Sequence, residues 1–591
     1  MSNIRINSIS LKNYRSFGNE EQEFIFPAGD YNKPVVIVGY NNSGKTNLMN
    51  AILYGVGEKF VSVNTFEKND LHNLNYANHI EIKTNLSASD YLTDYGPKSI
   101  KGVHKVLTKV IDSELHSSVS PSFFGANKYY NIFYINFHKI KEEISTQKTS
   151  WGNLKSFLAK HIKQIVDNDE GMKEKKGKFL SDTEASKNEV LEGSSLSNFI
   201  EKIKKNYSKN LRDNNCEINF CLPDYEEIFL NMVFKIGLNR DNTNLVPIEH
   251  FGDGYISMFV MAVIQAIAES NIEDKCLFLF EEPESFLHDN HQEYFYKRVL
   301  CSLAEKGHQV IYTTHSDKMV DMFDTKGLIR IEFDETSKQT IKRYNEATEN
   351  FNKQLTYEDN NGLVAIADYN SYIKNIEPNL NRILFSKKVI LVEGPNDVMA
   401  YKYAIKKKII SLGKDTKFAE TYLNFNNIAI IPHHGKATAL VLIALCKHLG
   451  VDYFVINDLD FEDDFVAELF KYASEGDFKQ SALYSNETDS NKKGMLTTNW
   501  KLTNSAGNGK IHFNIKKLET VLGYALNDKN SVKLWDLLQG KDTFEETFFP
   551  ESLKNFLEFD SIPAEEVPAR GAVIEEPATP KINDEESAIL G

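Results

Sequence analysis

Short, mostly apolar runs that stop abruptly at small or charged residues punctuate this chain. Val35–Val38, Cys276–Phe280, Gln309–Thr313, Val389–Val392, Ile428–Ile431 and Tyr453–Ile456 are rich in β-branched and aromatic residues and bounded by polar segments. Runs of that length read as strands buried on both faces. Ile4–Leu11 alternates instead, which predicts a strand with one wet face, and Glu23–Phe26, His79–Leu86 and Tyr129–Phe137 are also β-prone. Helix-length segments follow several of the buried runs, among them Asn47–Leu53 and Tyr255–Ala268. Strands alternating with helices predict an α/β fold with largely parallel sheets.

The pattern changes character along the chain. Lys139–Arg212 is lysine-rich, helical in periodicity and interrupted by Ser, Gly and Asp. It reads either as solvated helix faces with a mobile loop, or as a helical insertion serving dimerisation or DNA contact. Strand-like segments return at Ile218–Leu222 and Phe229–Leu238. Residues 335–385 are polar and read as a connection, and a second α/β unit begins at Lys387. Ser485–Asn508, rich in Asn, Thr, Ser and Lys, reads as a loop. The last residues carry Pro563, Pro568, Pro577 and Pro580 among acids, a composition that buries no core and predicts a disordered tail. The expected division is an N-terminal lobe 1–138, an insertion 139–215, a C-terminal lobe 216–345, a linker 346–386, a second domain 387–560 and a tail 561–591.

Composition narrows the function classes. With 591 residues, 41% hydrophobic and 26% charged, the chain suits two to four ordinary globular domains. The net charge of −15 means that nucleic acid would have to be met by local basic patches. The five cysteines (216, 221, 276, 301, 446) form no C-x-x-C pair, which fits a reducing compartment rather than a disulfide framework or zinc site. No apolar leader opens the chain, and the stretches Met258–Ala268 and Ala437–Cys446 are too short to span a bilayer. A soluble cytoplasmic protein without membrane contact is expected.

The first chemical constellation starts where the Val35–Val38 run ends. Gly39-Tyr-Asn41-Asn42-Ser43-Gly44-Lys45-Thr46 matches G-x-x-x-x-G-K-[ST] between a strand and the helix opening at Asn47. Its glycines let successive N–H groups turn toward phosphate oxygens, and the helix N-terminus adds partial positive charge. Lys45 would reach the β/γ-phosphates and the Thr46 hydroxyl a Mg²⁺ ion. Hydrolysis of ATP needs more: a carboxylate for the metal, a base for water and a γ-phosphate sensor. Leu277–Phe280 runs into Glu281-Glu282-Pro-Glu284, which offers Glu281 to the metal and Glu282 to the water. His315, in Thr314-His-Ser316 after the next apolar run, is the candidate sensor.

A second constellation lies downstream. Val389–Val392 ends in Glu393-Gly394-Pro-Asn-Asp397, and Tyr453–Ile456 ends in Asn457-Asp458-Leu-Asp460. In a parallel sheet such strand ends share one crevice, so Glu393, Asp458 and Asp460 can meet. Two carboxylates about 5 Å apart repel by about 3 kcal/mol at an effective dielectric of about 20. Such a cluster therefore calls for cations, and all-oxygen donors suit Mg²⁺ or Mn²⁺. Two ions so held can serve phosphodiester cleavage.

Both constellations carry a family resemblance. Leu11-Lys-Asn-Tyr-Arg15-Ser-Phe17, Glu281-Glu-Pro-Glu-Ser-Phe-Leu-His288 and Thr313-Thr-His315-Ser resemble the ABC-type ATPases of chromosome-maintenance and recombination-repair proteins. Their signature loop would fall at Phe251-Gly252-Asp253-Gly254, where Phe replaces the usual Ser. Glu-Gly after one strand and Asp-x-Asp after another resemble the Toprim domain. An ABC-type head followed by Toprim resembles the OLD (overcoming lysogenisation defect) family, similar to Gabija and retron-associated effectors, over roughly residues 1–560. The resemblance implies a homodimer or higher homo-oligomer and nucleotide-regulated, metal-dependent DNA cleavage in anti-phage defence. It also implies a genetically linked partner such as a helicase or a retron reverse transcriptase with its DNA. It adds Asp397 and Glu519 as metal ligands and a C-terminal lysine at the scissile phosphate, for which Lys529 and Lys533 are both candidates. His434-Gly435-Lys436 either lines that cleft or forms a simple turn. The competing functional readings are an ATP-sensing DNA-binding or assembly protein with a non-cleaving Toprim domain, and a DNA-repair ATPase acting through partner chains.

Overall fold

The structure is a computed structural model and describes residues 3–57, 65–93, 96–111, 114–120, 126, 130–139, 169–211, 235–236, 245–247, 250–270, 275–351, 356–359, 362–365, 369–524 and 530–559. Lys529, residues 140–168 and 212–215 of the insertion, the run Ile218–Leu222, most of Phe229–Leu238 and the tail 561–591 lie outside these residues.

Two sheets build the head. A five-stranded antiparallel sheet has the order Gln22–Ile25, Ile4–Lys12, Ile80–Ala88, Gly102–Ile111, Glu114–Ser120. A six-stranded sheet has the order Gln339–Tyr344, Leu328–Asp334, Val35–Val38, Gln309–Thr313, Leu277–Glu281, Ile132–Asn136, parallel except at its first pair. The helix Lys45–Gly55 packs in the core shared by the two sheets, with Leu48 and Ile52 among Ile4, Ile6 and Ile82. The apolar runs are buried on both faces, as their composition requires. Leu277 and Leu279 enter this core, whereas Phe278 and Phe280 enter a second core with Ile256, Val260 and Ile264 of the helix Asp253–Ser270.

The second core does not stop at the domain boundary. It continues through Val389, Leu391, Leu445 and Val455 into a four-stranded parallel sheet ordered Ile428–Pro432, Lys388–Val392, Asp452–Asp458, Ile511–Asn514. Ile390, Val392, Phe454 and Ile456 face the other way, onto Tyr401 and Ile405 of the helix Pro395–Ser411. Alternate side chains of two adjacent strands thus serve two cores, and one of those cores is shared with the head.

Two readings of polar segments change. Ser485–Asn508 is mostly the helix Ser490–Ala506, not a loop. Asp489 caps its first turn, and Leu496, Trp500 and Leu502 are buried, so packing of one face outweighs weak helix propensity. The connection between the domains contains the helix Tyr369–Ile376 and a 3₁₀ turn, Leu380–Phe385, with Ile373, Leu380, Ile383 and Leu384 in the shared core. Within the insertion, the helix Glu170–Leu191 buries no residue. The helix Ser195–Leu211 exposes Leu196, Phe199, Ile203 and Tyr207 at helical spacing. No helix among the described residues is long and apolar enough to cross a membrane.

Candidate functional site

The phosphate loop leaves the sheet in the conformation its glycines permit. Gly44 has φ 102°, in the left-handed region. A Cβ on Gly39 would sit 2.4 Å from the Ile331 carbonyl oxygen and from Ser43 Oγ, so both positions exclude larger residues. Lys45 is buried and its Nζ donates to the Gly39 carbonyl (2.9 Å) and the Tyr40 carbonyl (3.2 Å). Burial lowers its pKa to about 8, against the opposing pull of Glu282 and Glu284. Anionic phosphate oxygens are better partners for that ammonium than carbonyls are. Asn41, Asn42 and Thr46 are exposed on the same loop, Ser43 Oγ is buried without a partner, and Asn47 donates to Ser16 Oγ (2.9 Å).

Parallel register assembles the carboxylates beside the loop. Glu281 pairs with Asn136 on one neighbouring strand and Thr313 on the other. Residues just past these three positions therefore emerge side by side. Glu281 accepts from Tyr134 Oη (2.7 Å) and Asn136 Nδ2 (3.0 Å). Glu282, at φ 48°, is clamped by His138 Nε2 (2.5 Å) and His315 Nε2 (3.2 Å). Burial would raise its pKa, but the two histidines hold the carboxyl down at about 2. His315 Nδ1 lies 3.5 Å from Lys45 Nζ, and its backbone N–H donates to Glu284 (2.6 Å). Lys45, His315 and Glu282 thus form one connected group. Sequence reading missed His138. No motif marks it, and only its place two residues past Asn136 brings it to Glu282.

In the second domain, Glu393, Asp397, Asp458 and Glu519 converge. Glu393 Oε2 accepts from the Asp458 backbone N–H (3.2 Å), and Asp397 caps the Gly394 N–H (3.0 Å). Asp458 Oδ1 accepts from the Leu518 N–H (2.8 Å) and Asn514 Nδ2 (3.4 Å), which brings the turn bearing Glu519 to the site. Burial, then the Glu393 charge, then Asp397 push the Asp458 pKa up to about 8. Burial, then Glu393, with a smaller push from Glu519, raise Asp397 to about 7. Among the described residues, no three His, Cys, Asp or Glu side chains are gathered to a single metal-binding point.

The residues nevertheless fit divalent metal. Asp397 Oδ1 is buried without a hydrogen-bond partner, the donors are all oxygen, and the mutual repulsion is the kind that a cation relieves.

Asp460 stands apart from the expected trio. At φ 65° it turns outward to Lys436 Nζ (2.5 Å), which also donates to Asn499 Oδ1 (2.9 Å). The physical reason lies in the chain around it: Leu459 is buried, and its carbonyl is held by Asn499 Nδ2 (2.8 Å). Lys436 of the His434-Gly435-Lys436 turn is thus tied to the Asp458-Leu-Asp460 segment. Lys533 is exposed in the first turn of the helix Ser531–Gln539, whose Ser531 Oγ bonds Asn396 Oδ1 (2.7 Å) beside Asp397.

Two protein families match parts of the chain. Residues 136–320 match the AAA ATPase domain family. Residues 384–460 match the Toprim domain of proteins like the overcoming-lysogenization-defect protein. The chain is 22% identical over 475 residues to the OLD nuclease of Thermus scotoductus, covering 76% of this chain and 81% of the relative. It is 24% identical over 548 residues to the Old nuclease of Escherichia phage P2, covering 85% and 84%. It is 23% identical over 433 residues to the endonuclease GajA of Bacillus cereus, covering 68% and 67%.

Proposed function

We propose that this chain, an ATPase domain followed by an OLD-like Toprim domain, is a nucleotide-regulated, divalent-metal-dependent DNA endonuclease. The observation that carries the proposal is the approach of Glu393 and Asp458, at the ends of adjacent parallel strands, to Asp397 and Glu519 in the first turns of two helices, with two of the acids forced out of their ordinary range. Mg²⁺ or Mn²⁺ bound there would polarise a phosphodiester, generate a nucleophile and neutralise the leaving oxygen. The chain's own part is to hold those acids rigidly. Asn514 and the Leu518 N–H orient Asp458, the Gly394 N–H orients Asp397, and Lys436 holds Asp460 at the rim. Lys533, or Lys529, would meet the scissile phosphate.

The head binds ATP at Lys45 and Thr46 and hydrolyses it with Glu282 as base and Glu281 on the metal. The likeness to proteins named as nucleases supports DNA as the substrate. The exposed apolar stripe at Leu196, Phe199, Ile203 and Tyr207 suits self-association of the insertion, hence a homo-oligomer. Defence against bacteriophage, with a genetically linked partner, is the role that family likeness supports.

Supercoiled plasmid incubated with the protein and Mg²⁺ or Mn²⁺, across ATP concentrations, tests the proposal. Nicking that disappears in Glu393→Ala and Asp458→Ala is expected. DNA binding without nicking under every condition would instead identify an ATP-sensing binding protein.

A further inference from the structure

The two sites share more than an apolar core. Arg330 lies on the strand Leu328–Asp334, directly beside the phosphate-loop strand, where it is the register partner of Val38, the residue before Gly39. On its other side the pairing with Gln339–Tyr344 shifts between Arg330 and Ile331. Such a bulge re-aims a side chain, and here the guanidinium reaches across to backbone carbonyls of the segments that lead into the second domain's strands. It is 2% exposed. Its Nη1 donates to the Gly450 carbonyl (3.0 Å), its Nη2 to the Ser386 carbonyl (3.0 Å) and its Nε to the Leu384 carbonyl (3.4 Å).

These acceptors are not arbitrary. Ser386 stands two residues before the strand Lys388–Val392, which delivers Glu393. Gly450 stands two residues before Asp452–Asp458, which delivers Asp458. One planar fork therefore holds the starts of both acid-bearing strands. Glu332 balances its charge (3.6 Å) and is itself held by Arg343 (3.0 Å). Tyr344 Oη meets His448 Nε2 at 2.8 Å, and the Arg343 carbonyl closes on Gly450, where a Cβ would sit 3.0 Å away. Burying a guanidinium is costly unless its donors are satisfied. An apolar residue would fill this space more cheaply, so its presence calls for a reason beyond cohesion.

We infer that Arg330 is a positioning residue that couples nucleotide binding at Gly39–Thr46 to the placement of Glu393 and Asp458. The inference rests on the proposed nuclease reading, but its first readout does not need cleavage. Because the fork ties the phosphate-loop sheet to both strand starts, a shift of that loop on binding nucleotide is passed to the carboxylates through backbone.

The test is amide hydrogen exchange on the full chain in Mg²⁺, with and without a non-hydrolysable ATP analogue, followed by plasmid nicking. In the wild type, amides of 386–393 and 450–458 should change protection when the analogue binds. Arg330→Lys keeps the charge but cannot span three carbonyls. It should retain analogue affinity within about threefold while losing the distant protection change, and the ratio of nicking with to without nucleotide should fall to about one. Arg330→Met, which keeps the volume and leaves Glu332 paired to Arg343, is the second variant should the first fail to fold. A wild type whose Toprim strands ignore the analogue, or a folded variant that still transmits the change, overturns the inference. A protein that transmits the change yet never nicks DNA overturns the nuclease reading and leaves the coupling intact.

Discussion

Asp458→Asn should make the metal-free protein more stable at neutral and alkaline pH. The fold raises this carboxyl from 3.8 to about 8, by burial first and by Glu393 and Asp397 next. Between about pH 4 and pH 8 the unfolded chain has therefore lost a proton that the folded chain keeps, and stability falls as pH rises through that window. A shift of that size corresponds to about 6 kcal/mol at its upper bound. Relaxation and water entry reduce it, so we expect about 2–3 kcal/mol. Asparagine retains an oxygen for the Leu518 N–H and removes the charge. In a domain of this size the gain amounts to about 5–10 °C in melting temperature at pH 8, shrinking toward zero at pH 4–5. Thermal unfolding in EDTA across that range measures it. Added Mg²⁺ or Mn²⁺ should raise the melting temperature of the wild type and leave the variant nearly unmoved. A variant no more stable than wild type at pH 8 in EDTA, or a wild type whose stability is flat from pH 5 to 8, would refute the reasoning.

The remaining sites yield sharper single measurements. Lys45→Ala should weaken ATP binding about 10- to 150-fold, the loss of a charge-assisted contact of about 1.5–3 kcal/mol, read by calorimetry. Unchanged affinity would remove Lys45 from the phosphate site. Glu282→Gln, which discharges the carboxylate clamped by His138 and His315, should slow ATP hydrolysis by about 10²-fold or more while leaving ATP affinity intact, as a phosphate-release assay alongside calorimetry would show. Lys436→Met frees Asp460 from its cation; with Asp460 outside the acid cluster, the Mg²⁺ concentration for half-maximal nicking should stay unchanged, and a rise of about tenfold would place Asp460 among the groups that support the metal.

Much of this architecture is legible in the chain because its chemistry sits at the ends of apolar strands. Val35–Val38, Leu277–Phe280, Gln309–Thr313, Val389–Val392 and Tyr453–Ile456 announce themselves by composition. In a parallel sheet the residues just beyond them must emerge on one side. Glu282, Glu393 and Asp458 stand at such ends, His315 two residues past one, and Lys45 in the phosphate-loop motif that follows another. What escaped depends on register and packing between distant segments. His138 reaches Glu282 only because Asn136 and Glu281 are register partners 145 residues apart. Asp460 leaves the acid cluster because Asn499, in a segment whose polar composition reads as a loop, is on a packed helix that holds Leu459 in place. Arg330 is the extreme case. An arginine that alternates with Glu332 and Asp334 along its strand reads as a solvent-facing position, yet a one-residue slip in pairing accompanies its buried contact between the head and both acid-bearing strands. Strand-end chemistry needs only local pattern. The link between two such sites exists only once both sheets are assembled.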